Sequence, residues 1–139
     1  MLTRESIAAL IPHSGAMCLL HEVIRYDASG ITCRAVNHRD FTHPLREAGA
    51  LPAVVGVEYA AQAMAVHGAL TGSVDVAPGV LAAIRDLVMH VDRLDDVADD
   101  LIVAAEKLWG EGTQLLYGFT ISAGTRELLQ GRATVMLTR

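Results

Sequence analysis

Positive charge, aromatic side chains and cysteine are all scarce in this 139-residue sequence. Eleven Lys and Arg stand against sixteen Asp and Glu, a formal net charge of −5. With no Lys/Arg cluster to offset it, that balance excludes the electrostatic footprint of a nucleic-acid-binding protein. Aromatics supply 4% of the residues while apolar residues supply 52%, so a core must be built from Ala, Val, Leu and Ile. Only Cys18 and Cys33 occur, at no metal-like spacing, and buried free thiols in a reducing cytosol are the expectation. Met1–Leu10 carries Arg4 and Glu5 where the apolar run of a signal peptide would begin. Repeats, linkers and low-complexity segments are absent as well. The length fits one domain over residues 1–139, enough to bury roughly two thirds of its unfolded surface.

What the chain does have is one long apolar stretch, from Leu51 to Gly72. Pro52 suits a helix start, because its φ is already helical and it lacks an N–H that would be orphaned there. Gly72 can take the left-handed conformation that closes a helix. Ala53 to Thr71 at ~1.5 Å per residue makes a rod of roughly 28 Å. Nearly every position is apolar or small, so a helix buried on most sides is expected. Gly56, Ala60, Ala61, Ala65 and Gly68 would let a sheet approach its backbone. The rod is long enough to span a bilayer, but Glu58 and His67 point in nearly opposite directions, and a spanning helix would have to hide both. A soluble, buried helix is the better reading.

Glu58 and Gln62 interrupt this surface four residues apart, on one face. A carboxylate in an apolar helix is costly unless it is paired, hydrogen-bonded or protonated. Two roles are open to it: a structural acid bonded to a backbone group or arginine, or a general acid with a pKa raised by burial.

The rest of the chain reads as strands and turns. Residues 3–10 suit a short amphipathic helix capped by Thr3, and Ile11–Met17, broken by Pro12 and Gly15, an ordered loop. Leu19–Tyr26 and the alternating Ile31, Cys33 and Ala35 form a hairpin about Asp27–Gly30. Asn37–Ala50, with His38, Asp40, His43 and Pro44, is a loop feeding the helix. Ser73–Gly79 is a connector, Val80–Arg93 a long strand, and Asp92–Asp100 an acidic, solvated turn. Leu115, Tyr117, Phe119 and Ile121 alternate, as do Leu129, Ala133, Val135 and Leu137. One apolar helix and consecutive strands imply an α+β fold with an antiparallel sheet curled around the helix. Its open edges favour a dimer that pairs edge strands.

That order resembles the hotdog fold, and the residues resemble the (3R)-hydroxyacyl-acyl-carrier-protein dehydratases of fatty-acid synthesis. The match lies in Leu51-Pro-Ala-Val-Val-Gly-Val-Glu-Tyr-Ala-Ala-Gln62, similar to the family's Met-Pro-Gly-Val-Leu-x-x-Glu-Ala-x-Ala-Gln without a gap. Ile11-Pro-His13 is similar to the family's Pro-His-Arg segment. The divergent dehydratases of aryl-polyene clusters are the most similar branch. The resemblance implies a cofactor-free, metal-free cytoplasmic enzyme acting on 3-hydroxyacyl thioesters of acyl-carrier protein. It also implies a homodimer, or a heterodimer with a related hotdog subunit, with histidine and carboxylate meeting across the interface. Glu58 would then be the acid, Ala53 and Val54 the backbone N–H donors to the thioester oxygen, and Gln62 the residue orienting the carboxylate.

The family's second catalytic residue is a histidine in a His-Phe-Pro-Gly-x-Pro turn, and here the chain departs from the pattern. His43-Pro-Leu-Arg-Glu-Ala-Gly49 keeps the histidine without Phe-Pro-Gly, one residue further from the carboxylate than in the family. His43 and His13 both remain candidates, His43 slightly ahead. Two rivals stand beside the dehydratase: a hotdog thioesterase, whose helix carboxylate activates water, and a non-catalytic partner subunit. His67 reads as a hydrogen-bonded core histidine, His21 and His90 as structural or exposed, His38 as a loop residue without a motif. Tyr59 reads as packing, and Arg85 and Arg132 as surface salt-bridge partners.

Overall fold

The computed structural model describes residues 2–11, 15–72 and 79–137. The N-terminal residues form a two-residue strand, β1 (Leu2–Thr3), and a helix, α1 (Arg4–Leu10), whose N-cap is Thr3 as expected. A hairpin follows, β2 (Glu22–Tyr26) and β3 (Gly30–Ala35). The Asp27 carboxylate closes its turn by accepting from Ser29 N–H at 2.8 Å and Gly30 N–H at 2.9 Å. After the loop comes the long helix, then four strands: β4 (Gly79–Met89), β5 (Leu101–Glu111), β6 (Gln114–Ala123) and β7 (Arg126–Leu137).

The helix is shorter than its sequence suggests. Ala53–Val55 is a 3-10 turn and α2 proper runs Gly56–Leu70. The tighter turn places Gly56 against the sheet: a Cβ there would stand 2.8 Å from both methyl carbons of Leu129 on β7. Gly72 adopts φ 79 just past the helix, as a C-terminal glycine should.

All strands join one antiparallel sheet of seven, ordered β1-β2-β3-β5-β6-β7-β4. Strict alternation gives it a dry face: Leu101, Val103 and Ala105 of β5 and Leu115, Tyr117, Phe119 and Ile121 of β6 are buried, packed with Tyr59, Ala60, Ala63 and Val66 of α2. One helix clasped by one curved sheet is the α+β hotdog architecture, as the resemblance implied. The strand that follows α2 crosses to the far side of the sheet, so among the described residues β4 pairs only with β7 and is an edge. Beyond Met89 the backbone leaves the strand, four residues before the expected end at Arg93. Asp86 takes φ 54 where the register slips between Arg85 and Val88, a bulge that bends this edge.

One expectation about burial changes and another holds. Gly56 and Ala60 do face the sheet, whereas Ala61 and Ala65 are only half-buried, on the same side as Glu58. Cys18 and Cys33 are free and buried, and burial pushes the Cys33 thiol up to about 12.

Candidate active site

The segment 92–95 fixes the start of the long helix. Leu94 N–H donates to Leu51 O at 2.8 Å, and Ala53 N–H donates to Asp92 O at 2.9 Å. The Asp95 carboxylate accepts Leu51 N–H at 2.9 Å and pairs with Arg93, which holds its carboxyl well below the usual carboxylate range. The expectation of a merely solvated acidic turn therefore fails at Asp95: its side chain is almost covered and anchors the helix start.

This anchoring also corrects one of the two expected backbone donors. Ala53 N–H is consumed by Asp92 O, whereas Val54 N–H has no acceptor among the described residues. Val54 is 50% exposed, so its amide stands at an open helix end. Unpaired first-turn N–H groups are where a helix receives negative charge.

Glu58 sits one turn on, in the first turn of α2, and it is exposed. The expected fully buried carboxylate is thus absent from the single chain. Val54, Glu58, Ala61 and Ala65 recur at helical spacing along one side of α2 that the sheet leaves uncovered. Gln62 does not orient Glu58. Its side chain is buried and clips the segment before β2: Oε1 accepts Leu19 N–H at 2.8 Å and Nε2 donates to Met17 O at 2.6 Å. A helix turns the two residues by ~400° in all, close to one face, yet the amide has reached inward to the loop.

His43 is buried in the loop before α2. Its Nε2 lies 2.9 Å from the Tyr59 hydroxyl, which donates to Asn37 Oδ1 at 2.7 Å, and its Nδ1 accepts Leu45 N–H at 3.1 Å. Burial lowers the His43 pKa, and it holds the Tyr59 phenol well above its usual range. His43 is therefore a neutral imidazole at pH 7. Tyr59 does more than pack, and the one signal for it in the sequence is a hydroxyl-bearing residue inside an apolar helix, in reach of a polar loop. His13 lies outside the described residues, as does most of the connector 73–79.

The other histidines divide cleanly. His67, on the opposite side of α2 from Glu58, is fully buried and bonded to Tyr117 at 2.7 Å and to Asp27 O at 2.8 Å, as a core histidine should be. His38 is buried as well; its Nε2 meets Val97 O at 3.0 Å, its Nδ1 is unpaired, and burial lowers its pKa. His90 is exposed against Glu127, 3.1 Å away. Arg132 and Asp86 lie 4.0 Å apart, both in solvent. No group of three or more potential metal ligands occurs among the described residues, and no helix there is long and apolar enough to cross a membrane.

One long helix clasped by a curved antiparallel sheet is the hotdog fold, which dehydratases and thioesterases share. The comparisons narrow this. The family of ApeP-like dehydratases matches residues 5–139, and the chain belongs to it. Among solved structures it is similar to the dehydratase heterocomplex ApeI:P from Xenorhabdus doucetiae, with TM-score 0.82 and 23% identity over 96% of this chain and 91% of that one. A thioesterase from Haemophilus influenzae matches with TM-score 0.70 and 15% identity over 100% and 92%. A thioesterase-family protein from Silicibacter pomeroyi matches with TM-score 0.70 and 14% identity over 96% and 94%. These structural likenesses establish the fold. A comparison with curated protein sequences found no match.

Proposed function

We propose that this chain dehydrates (3R)-3-hydroxyacyl thioesters carried on acyl-carrier protein, in the cytoplasm, at a site shared with a second hotdog subunit. The observation that carries the reading is Glu58: a solvent-facing carboxylate in the first turn of an otherwise apolar helix, one turn from an unpaired amide at Val54.

Dehydration takes a proton from Cα, forms the Cα–Cβ double bond, and releases the β-hydroxyl as water once it is protonated. A neutral imidazole suits the first task, and His43 of one subunit is neutral. A carboxyl group suits the second, and Glu58 of the facing subunit is the group placed to serve it. The negative charge that develops on the thioester oxygen is met by Val54 N–H at the positive end of α2. The uncovered side of α2 and the free edge of β4 are the surfaces available to the second subunit. It is either a copy of this chain or a related hotdog subunit, as in the ApeI:P assembly that the fold resembles. Half-buried Ala61 and Ala65 on that side permit close packing of a partner helix.

The test is the full-length chain with a 3-hydroxyacyl thioester, following enoyl absorbance and free thiol separately. Enoyl product without thiol is expected. Release of thiol instead would make the chain a thioesterase, and neither product would make it a silent partner subunit. Glu58→Gln should lower kcat by ~10²- to 10⁴-fold, the usual worth of a general acid. Unchanged turnover in that variant would sink the assignment.

A further inference from the structure

We infer that Asn37 and Tyr59 hold the His43 imidazole in one tautomer, proton on Nε2 and lone pair on Nδ1. Nδ1 is then the basic nitrogen of the site, and Tyr59 and Asn37 are its positioning residues. This rests on reading His43 as the base of the proposed dehydration.

The direction of every bond in the chain is set from its two ends. Leu45 N–H can only donate, so the His43 Nδ1 it approaches at 3.1 Å carries a lone pair. Asn37 Oδ1 can only accept, so the Tyr59 hydroxyl, 2.7 Å away, spends its proton there. The Tyr59 oxygen therefore accepts, and the group it accepts from at 2.9 Å is His43 Nε2–H. Either end alone would impose the same tautomer. Burial keeps the phenol protonated, so the relay does not dissolve near neutral pH.

The geometry also separates a firm side of the ring from a yielding one. The Nε2 side is tied to α2 through a fully buried tyrosine. The Nδ1 side is tied only to an amide two residues along its own loop, and that is the contact a substrate must replace. The charged or titratable groups acting on the ring are Asp40, Arg46 and His38 from the loop, with Tyr59 from α2. Asp40 favours the imidazolium while Arg46 and His38 oppose it.

The test combines histidine 15N NMR with the pH dependence of kcat/KM, on the full-length chain and three variants. Wild-type His43 should show the Nε2–H tautomer. Tyr59→Phe keeps the ring and removes the acceptor, which favours the imidazolium more than the neutral ring. The acid limb of kcat/KM should move to lower pH, with kcat down by roughly 10- to 100-fold, as misorientation of a catalytic group commonly costs. Asn37→Asp keeps the acceptor and adds negative charge, so the acid limb should move to higher pH with the tautomer retained. A merely structural role for Tyr59 would alter stability and leave both limbs in place. An Nδ1–H tautomer in the wild type, or acid limbs unmoved in both variants, overturns the inference. Full activity in His43→Gln, or an inactive wild-type chain, instead overturns the functional reading beneath it, and the NMR signature still decides the tautomer.

Discussion

Tyr117 on β6 donates its hydroxyl to Nδ1 of His67 on α2 at 2.7 Å, and His67 Nε2–H in turn donates to Asp27 O at 2.8 Å. Helix, sheet centre and hairpin turn are thereby joined through two side chains with almost no exposure. Burial pushes the Tyr117 phenol up to about 12, so it remains a donor throughout the neutral range. Tyr117→Phe would strand the imidazole nitrogen in an apolar interior. We expect a loss of about 1–3 kcal/mol, the usual cost of one buried unpaired polar group, measured as a lower urea midpoint at unchanged slope.

Gln62 presents the same logic midway along α2. Replacing it with Leu removes the partners of both Leu19 N–H and Met17 O, and neither group gains another. A destabilisation of about 2 kcal/mol is expected, at the upper end for a neutral pair because both orphans are main-chain groups. Hydrogen exchange should accelerate first at Leu19. Were Gln62 mainly to orient Glu58, the same variant would instead lose turnover at unchanged stability.

Asp95 predicts the behaviour in acid. Its folded pKa is depressed by Arg93 first and by the Leu51 N–H besides. A depressed carboxylate contributes stability that is complete above its unfolded pKa of ~3.9 and is lost as pH falls toward the folded value. Asp95→Asn should therefore be less stable than wild type at pH 7, with the gap narrowing below about pH 4. Denaturation curves collected at pH 7 and pH 3 test this, and a gap that widens in acid would refute it.

His38 acts in a different window. Its folded pKa lies below the unfolded value of ~6.5 because of burial, so the unfolded chain binds the extra proton first. Stability should fall as pH drops from about 7 towards 5, before Asp95 begins to matter. His38→Gln keeps a donor for Val97 O while abolishing the titration. Its stability should decline less than wild type across that window, and an identical slope in the two proteins would exclude His38 as a source.

The architecture was legible because its signals are local. Period-two alternation over Leu115–Ile121 and an unbroken apolar run after Pro52 each impose one kind of element, whatever surrounds them. The motif through Glu58 placed the chain in its family for the same reason: it is contiguous. The end of β4 was not legible, because Val88–Arg93 keeps an alternating look while a bulge at Asp86 redirects the edge. Neither was the 3-10 turn at Ala53–Val55, since the bond that consumes Ala53 N–H comes from Asp92, far along the chain.

By itself, then, the sequence determined the fold, the family and the helix carboxylate, all consequences of residue order within single elements. Tertiary structure alone decided which polar groups were free to act. Asp92 took one amide and left Val54, the loop took Gln62 away from Glu58, and Tyr59 reached His43 across the start of α2. Hydrogen bonds are spent between residues that only folding makes neighbours, and no periodicity along the chain records how those partners are shared out.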